Sequence, residues 1–338
     1  MSERTVRPTA LLVMAPWTFQ AQFGEEQLTR LREVAEVGEP VLLTELTSPE
    51  ARSRLADADV LLTSWGAPTL TPEILDAAPR LRAVLHCAGS VRGIVPDAVH
   101  DRGIVVSTAA GVNAVPVAEY TLAMIVLSAK KVPFLARRDP QRNWVETRGR
   151  HDLSGRGRRI GIVGFSRTGR RVMGLLDIIE TGQVLVSDPY ADPAEVTALG
   201  GRLTDLEDLL RTSDIVSLHA PSLPETRHLI GARELALMPD GATLINTARG
   251  ALVDHDALLD ACASGRIDAI LDVTEPEPLP ADSPLHRLDN VVITPHLAGS
   301  LGSETRRMSD HALDELDRWQ RGEPLHGLLR PDDAKVSA

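Results

Sequence analysis

Short apolar runs recur along the chain and alternate with longer stretches in which apolar positions return every three or four residues. Runs of that kind, without regular alternation of apolar and polar positions, suit strands buried on both faces, and the longer period suits helices packed over them. The pattern predicts strands over 9–14, 40–44, 60–64, 81–86 and 104–107, then a second series over 159–164, 183–187, 214–218, 242–246, 267–273 and 291–294. Thr71-Pro72-Glu73 reads as an N-cap with a proline in the first turn. Longer helices are predicted over 114–130 and 302–321, the second with Ala312, Leu313, Leu316, Trp319 and Gln320 along a partly apolar face. An arginine-rich stretch over 137–159, broken by Pro140, Gly149, Gly155 and Gly157, reads as a surface connection between the two series, and residues 332–338 as a disordered tail. Two series of strand followed by helix imply an α/β protein with two parallel sheets.

Length supports that division, because 338 residues exceed what one core usually serves. With 43% hydrophobic and 25% charged residues the chain has the composition of a folded protein, and its net charge of −11 argues against a nucleic-acid partner. Uninterrupted apolar runs such as Tyr120 to Leu127 fall short of the roughly 20 residues of a membrane span, so no membrane segment is expected. Cys87 and Cys262 lie far apart and offer neither a disulfide framework nor a metal-ligand spacing. A cytoplasmic protein without a bound metal is the expectation.

Four stretches bear chemistry. Gly161-Ile162-Val163-Gly164-Phe165-Ser166-Arg167-Thr168-Gly169 runs from a buried strand into a glycine turn, with a helix expected from Arg170, and so occupies the place of a dinucleotide fingerprint. Ser166 stands where that fingerprint has its middle glycine, which narrows the backbone's approach to a pyrophosphate, and an ordinary strand-to-helix turn remains open on these residues alone. Asp188, nineteen residues past Gly169 at the end of the next strand, strengthens the first reading and favours NAD over NADP, since a carboxylate repels a 2′-phosphate. Arg249 follows the strand ending at Asn246, where its guanidinium fork could hold a carboxylate or simply face solvent. Asp272, Glu275 and Glu277 crowd another strand end, and the strand over 291–294 leads to Pro295 and His296. Histidine is a natural proton donor near neutral pH, and a carboxylate beside it orients the ring.

Asn113-Ala114-Val115-Pro116-Val117-Ala118-Glu119, Ser217-Leu218-His219-Ala220-Pro221, Asn246 to Asp254, Asp272 to Pro278 and Thr294-Pro295-His296 occur in the order in which the D-isomer-specific 2-hydroxyacid dehydrogenase family carries such motifs. The sequence resembles that family over most of its length, strongly between Gly103 and Gly302. The resemblance implies a doubly wound Rossmann NAD-binding domain, residues 114–299, inserted into a flavodoxin-like substrate domain made of 1–113 and 300–338. It implies hydride exchange between NAD and a small 2-oxo or 2-hydroxy acid, with Arg249 on the substrate, His296 as general acid and base, and Glu277 as its partner. It assigns Gly164, Ser166, Arg167, Thr168, Gly169, Asp188, His219, Pro221, Thr226, Thr247 and Asp272 to the cofactor, and Gly89, Ser90 and Asn113 to the substrate alongside Arg249 and His296. It further implies a homodimer, and closure of the domains over the reactants is expected because excluding water protects hydride transfer.

Two departures stand out: Ser166, and Gly89-Ser90-Val91-Arg92, which lacks the acidic residue that often follows the family's glycine loop. Arg92 is either a surface arginine or a cation selecting an acidic substrate. Formate dehydrogenases of the same family replace the histidine's glutamate with glutamine, so Glu277 argues against that activity. An NAD-sensing scaffold or corepressor on the same fold is the alternative from outside catalysis. Which oxo acid is used depends on loops near Trp65, Ser90 and Arg92.

Overall fold

The computed structural model describes residues 7–136, 147–148, 150 and 153–331. Contacts divide the chain into two compact units, Met1–Asn113 with Ser300–Ser337, and Ala114–Gly299. The first holds strands β1 (Ala10–Val13), β2 (Leu42–Leu43), β3 (Val60–Thr63), β4 (Ala83–His86) and β5 (Val105–Thr108), all parallel in the order β2-β1-β3-β4-β5. That is the flavodoxin-like order. The second holds β6 (Ile160–Val163), β7 (Val184–Ser187), β8 (Gly201–Leu203), β9 (Ile215–Leu218), β10 (Thr243–Asn246), β11 (Asp268–Leu271) and β12 (Val291–Ile293). These are also parallel, in the order β12-β11-β10-β9-β6-β7-β8, which is the doubly wound Rossmann arrangement with one further strand.

Both sheets bury both faces, and residue parity shows it. Leu11, Val13, Leu61, Val84 and Val106 belong to one apolar cluster of the first unit, while Ala10, Leu12, Val60, Leu62, Ala83 and Leu85 belong to the other. In the second unit Val163, Leu185, Val216, Leu244 and Ala269 pack on one side, and Ile162, Val186, Ile215, Ile245 and Ile270 on the other. Successive side chains point to opposite faces of a strand, so a strand covered twice has to be apolar throughout.

The elements differ from their expected limits where polar chemistry intervenes. The strand expected over 40–44 shrinks to Leu42–Leu43, since Pro40 has no amide to donate. β8, with no apolar run to announce it, is an edge strand whose Gly201 leaves no room for a Cβ, which would lie 2.4 Å from the Met173 methyl. Thr71 takes the N-cap position of Pro72–Asp76, but its hydroxyl makes no capping bond to a backbone amide. The helix expected over 302–321 opens with a 3₁₀ turn, Gly302–Glu304, before Thr305–Arg321. Most of the connection over 137–159 and the whole of the tail over 332–338 lie outside the described residues.

The helix expected over 114–130 runs from Ala110 to Ala129, and the unit boundary falls inside it. Its 20 residues and mean hydropathy of 1.5 make it long and apolar enough to cross a membrane by length and composition, although no single apolar run in it is that long. Ala118, Ile125 and Ala129 instead enter the core of the second unit. Lys131 ends it with a φ of 53°, and its buried ammonium donates to the Gly241 carbonyl at 2.6 Å and pairs with Asp268 at 2.5 Å.

In the first unit, Thr305–Arg321 packs Ala312, Leu313 and Leu316 on the sheet and carries the buried Glu315. The Glu315 carboxylate accepts from the Ser107 hydroxyl at 2.6 Å and from the amides of His326 and Gly327 at 3.0 and 2.9 Å. Glu315→Ala leaves those donors unmatched, and urea unfolding is expected to show a loss of about 2–4 kcal/mol.

Each unit also buries a histidine directly at or after a strand. Burial holds His86 down to about 4 and His219 down to about 3, from an ordinary value of 6.5. Both therefore stay neutral in the folded protein while the unfolded chain takes up protons below pH 6.5. Their effect on stability is nil above that pH and grows as pH falls toward the folded values, at about 1.4 kcal/mol per pH unit for each histidine. Denaturation of His219→Gln measured across this range is expected to show a shallower acid loss than the wild type.

Candidate active site

β10, β11 and β12 lie side by side in parallel register, with Asn246 opposite Leu271 and Leu271 opposite Ile293. Their carboxyl ends therefore release three loops from one edge of the sheet, where ligand sites of such sheets form. The first loop carries Arg249, the second Asp272 to Pro278, and the third Thr294 to Ala298. Asn246 shapes the first, donating to the Arg249 carbonyl at 2.8 Å and accepting from the Ala248 amide at 3.1 Å. Gly250 then packs so closely on the second that a Cβ would lie 2.0 Å from the Thr274 oxygen. Only glycine allows that approach, and it holds the half-buried Arg249 beside the acidic loop.

His296 Nδ1 and Glu277 Oε1 are 2.5 Å apart, and both side chains remain solvent-accessible. The ring nitrogen that faces Glu277 is thereby committed, which leaves Nε2 for a reactant. His296 holds a left-handed φ of 51°. Its amide donates to the Asp272 and Thr294 carbonyls at 3.0 Å each. The buried Asp272 carboxylate clamps the residues that follow, accepting from the Leu297 and Ala298 amides at 2.9 Å each and from the Thr294 hydroxyl at 2.6 Å. Glu275, the third acid of this stretch, turns elsewhere: it pairs with Arg227 at 2.6 Å, which lowers its pKa, and lies 3.6 Å from His228.

The glycine turn forms after β6. Gly164 has a φ of 97°, and a Cβ there would lie 2.4 Å from the Ala220 nitrogen, while one on Gly169 would lie 2.3 Å from the Gly164 oxygen. The helix starts at Arg167, earlier than expected, because Ser166 caps it by accepting from the Gly169 amide at 3.3 Å. The serine hydroxyl thus serves the helix start. Arg167 and Thr168 open that helix, whose first amides and dipole suit a phosphate. Asp188, at the end of β7, accepts from the Phe165 and Tyr190 amides at 2.7 and 2.8 Å, so its charge is tied to the turn. A carboxylate has further lone pairs, and a ribose diol could use them. The turn and its acidic neighbour fit a dinucleotide.

Other expected cofactor residues form the walls of this sheet edge. His219 is buried, with Nε2 2.9 Å from the Ser217 hydroxyl and Nδ1 lacking a hydrogen-bond partner. Thr226 donates to the Pro221 carbonyl at 2.6 Å, and Thr247 bonds the Thr121 hydroxyl at 3.0 Å. Gly89, Ser90 and Asn113 belong to the first unit, where a Cβ on Gly89 would lie 3.7 Å from Asn113 Nδ2, and Asn113 Oδ1 accepts from the Ser300 amide at 2.9 Å. Sequence reading missed Tyr120, whose hydroxyl is 2.8 Å from that of Thr294, and Arg170, whose guanidinium lies 4.3 Å from the Phe165 ring centre and pairs with Glu195. Neither sits in a motif with a spacing that would expose it.

Residues 122–298 match the D-isomer specific 2-hydroxyacid dehydrogenase, NAD binding domain. The chain is 36% identical over 292 residues to a glyoxylate reductase of Aeropyrum pernix, covering 84% of this chain and 86% of that protein. It is 31% identical over 296 residues to a D-3-phosphoglycerate dehydrogenase of Methanocaldococcus jannaschii, covering 87% of this chain and 56% of that longer protein. The chain spans about half the length of the phosphoglycerate dehydrogenases it matches. A crystal structure of a phosphoglycerate oxidoreductase from Rhizobium etli superposes with a TM-score of 0.80 at 28% identity, over 96% of this chain and 98% of that one. The glycine turn, the strand-end loops and these similarities together make the chain a member of the D-isomer-specific 2-hydroxyacid dehydrogenase family, with its NAD-binding domain in the second unit.

Proposed function

We propose that this protein interconverts a 2-oxo acid and a D-2-hydroxy acid with NAD. The observation that carries the reading is the 2.5 Å contact of His296 with Glu277 on a loop clamped by Asp272, beside the loop of Arg249. NAD, when bound, supplies or accepts the hydride at the substrate's C2. In the reducing direction His296 donates the proton from Nε2 to the carbonyl oxygen, and in the oxidising direction it takes that proton back. Glu277 orients the ring and balances the charge of the imidazolium. Arg249 holds the substrate carboxylate with its planar fork and polarises the neighbouring carbonyl. Asp188 favours NAD over NADP at the ribose. Two buried thiols, Cys87 and Cys262, suit a reducing cytoplasm.

With a panel of 2-oxo acids the purified protein is expected to consume NADH in preference to NADPH, and His296→Ala to lose about 10²–10⁴-fold in kcat while still binding NADH. A wild-type protein that binds NADH yet reduces none of the panel, or a His296→Ala variant of undiminished rate, overturns the reading.

The protein is further proposed to be a homodimer through the face of Ala110–Ala129 that its own core leaves open. Only 28% of that helix's apolar stretch is buried, Val126 is 40% exposed, and Val132, just past its end, is exposed too. Light scattering is expected to give a dimer for the wild type and a monomer for Val126→Glu; a monomeric wild type refutes it.

A further inference from the structure

Asp272 is buried and, among the described residues, no cation pairs with it. Its charge is met by three hydrogen bonds, from the Thr294 hydroxyl and from the amides of Leu297 and Ala298. An ionised carboxylate can only accept, so the single proton of the Thr294 hydroxyl is spent on Asp272. The 2.8 Å contact between the hydroxyls of Tyr120 and Thr294 therefore has one direction: Tyr120 donates and Thr294 accepts. The result is a directed chain from Tyr120 through Thr294 to Asp272, in which each bond polarises the next.

That chain ends on the backbone of the proton-transfer residue. Thr294 precedes His296 by two positions and also offers its carbonyl to the His296 amide at 3.0 Å, while Leu297 and Ala298 follow directly. A histidine at a φ of 51° persists only where its surroundings over-determine the backbone. Both sides of His296 are held, and the hold converges on the Asp272 carboxylate. Burial raises the Tyr120 pKa above its ordinary 10.0, which keeps the phenol protonated as the donor this chain requires.

We infer that Tyr120 is a positioning residue for His296, acting through the Thr294 hydroxyl and the Asp272 carboxylate to fix the ring against Glu277. This rests on the proposed role of His296 in proton transfer. It makes the helix Ala110–Ala129 part of the machinery of the site, through the hydroxyl that Tyr120 offers to Thr294.

The test compares Tyr120→Phe, which removes one oxygen and keeps the ring, with Thr294→Val, Thr294→Ser and the Tyr120→Phe/Thr294→Val double variant of the full chain. Tyr120→Phe is expected to lower kcat for a 2-oxo acid about five- to tenfold, with NADH affinity and Tm unchanged. Thr294→Ser, which keeps a hydroxyl, is expected to retain the wild-type rate. In the double variant Tyr120→Phe is expected to add nothing to Thr294→Val, because the route is already cut. A second readout needs no turnover: the downfield imidazole proton signal of His296, assigned by its absence in His296→Ala, is expected to broaden or vanish in Tyr120→Phe. A Tyr120→Phe variant with wild-type kcat and an unchanged signal overturns the inference. So does one that merely lowers Tm, or one whose loss adds fully to that of Thr294→Val. If the wild type reduces no 2-oxo acid, the proposed function fails by itself and the imidazole signal alone decides the positioning role.

Discussion

A buried carboxylate that no cation among the described residues pairs with has to be met by donors held in place, and at Asp272 that requirement organises the edge of the second sheet. Leaving such a carboxylate unmatched costs several kcal/mol, so the loop that satisfies it is not free to move. The donors come from the segment that carries His296, and the partner glutamate comes from the segment that begins with Asp272 itself. Two neighbouring loops are thereby joined through one side chain, and a histidine is held in a backbone conformation it would not choose. The parallel register of β10, β11 and β12 makes this possible, because it brings the three strand ends out together.

The glycine turn works by a related exclusion of freedom. Gly164 lies against Ala220 and Gly169 against the Gly164 carbonyl, while Gly161 lies against Leu209 with a notional Cβ 2.4 Å from its methyl. Backbone thus packs on backbone and on the helix that covers the strand. Asp188 closes the arrangement from β7 by accepting the Phe165 amide. Ser166 in place of a glycine is accommodated because its side chain turns inward to cap the helix.

Much of this was legible in the sequence, for identifiable reasons. Strands buried on both faces leave uninterrupted apolar runs, so eleven of the twelve were visible, and β8 escaped because Gly201-Arg202-Leu203 is a short, partly exposed edge. His296, Glu277 and Arg249 lie in the loops that follow buried strands, but the family resemblance, not that position alone, gave them their roles. The spacing alone left the division of labour among three nearby acids open, and only the family resemblance singled out Glu277 for His296; Glu275, two residues away, meets Arg227 instead. Tyr120 was illegible too, since a tyrosine in an apolar helix shows its purpose only when Thr294, 174 positions later, is placed beside it. Local motifs are written in spacing, whereas such a long-range hydroxyl pair is written in the fold.

The unit boundaries set how the proposed chemistry is laid out along the chain. The glycine turn, the strand-end loops, Tyr120 and the arginine, glutamate and histidine proposed to act on the reactants all fall within one continuous stretch, Ala114–Gly299. On the proposed reading, one uninterrupted segment supplies both the reacting side chains and the bonds that position them. Substitutions in the flanking segments, Met1–Asn113 and Ser300–Ser337, therefore leave the bonds that hold His296 intact.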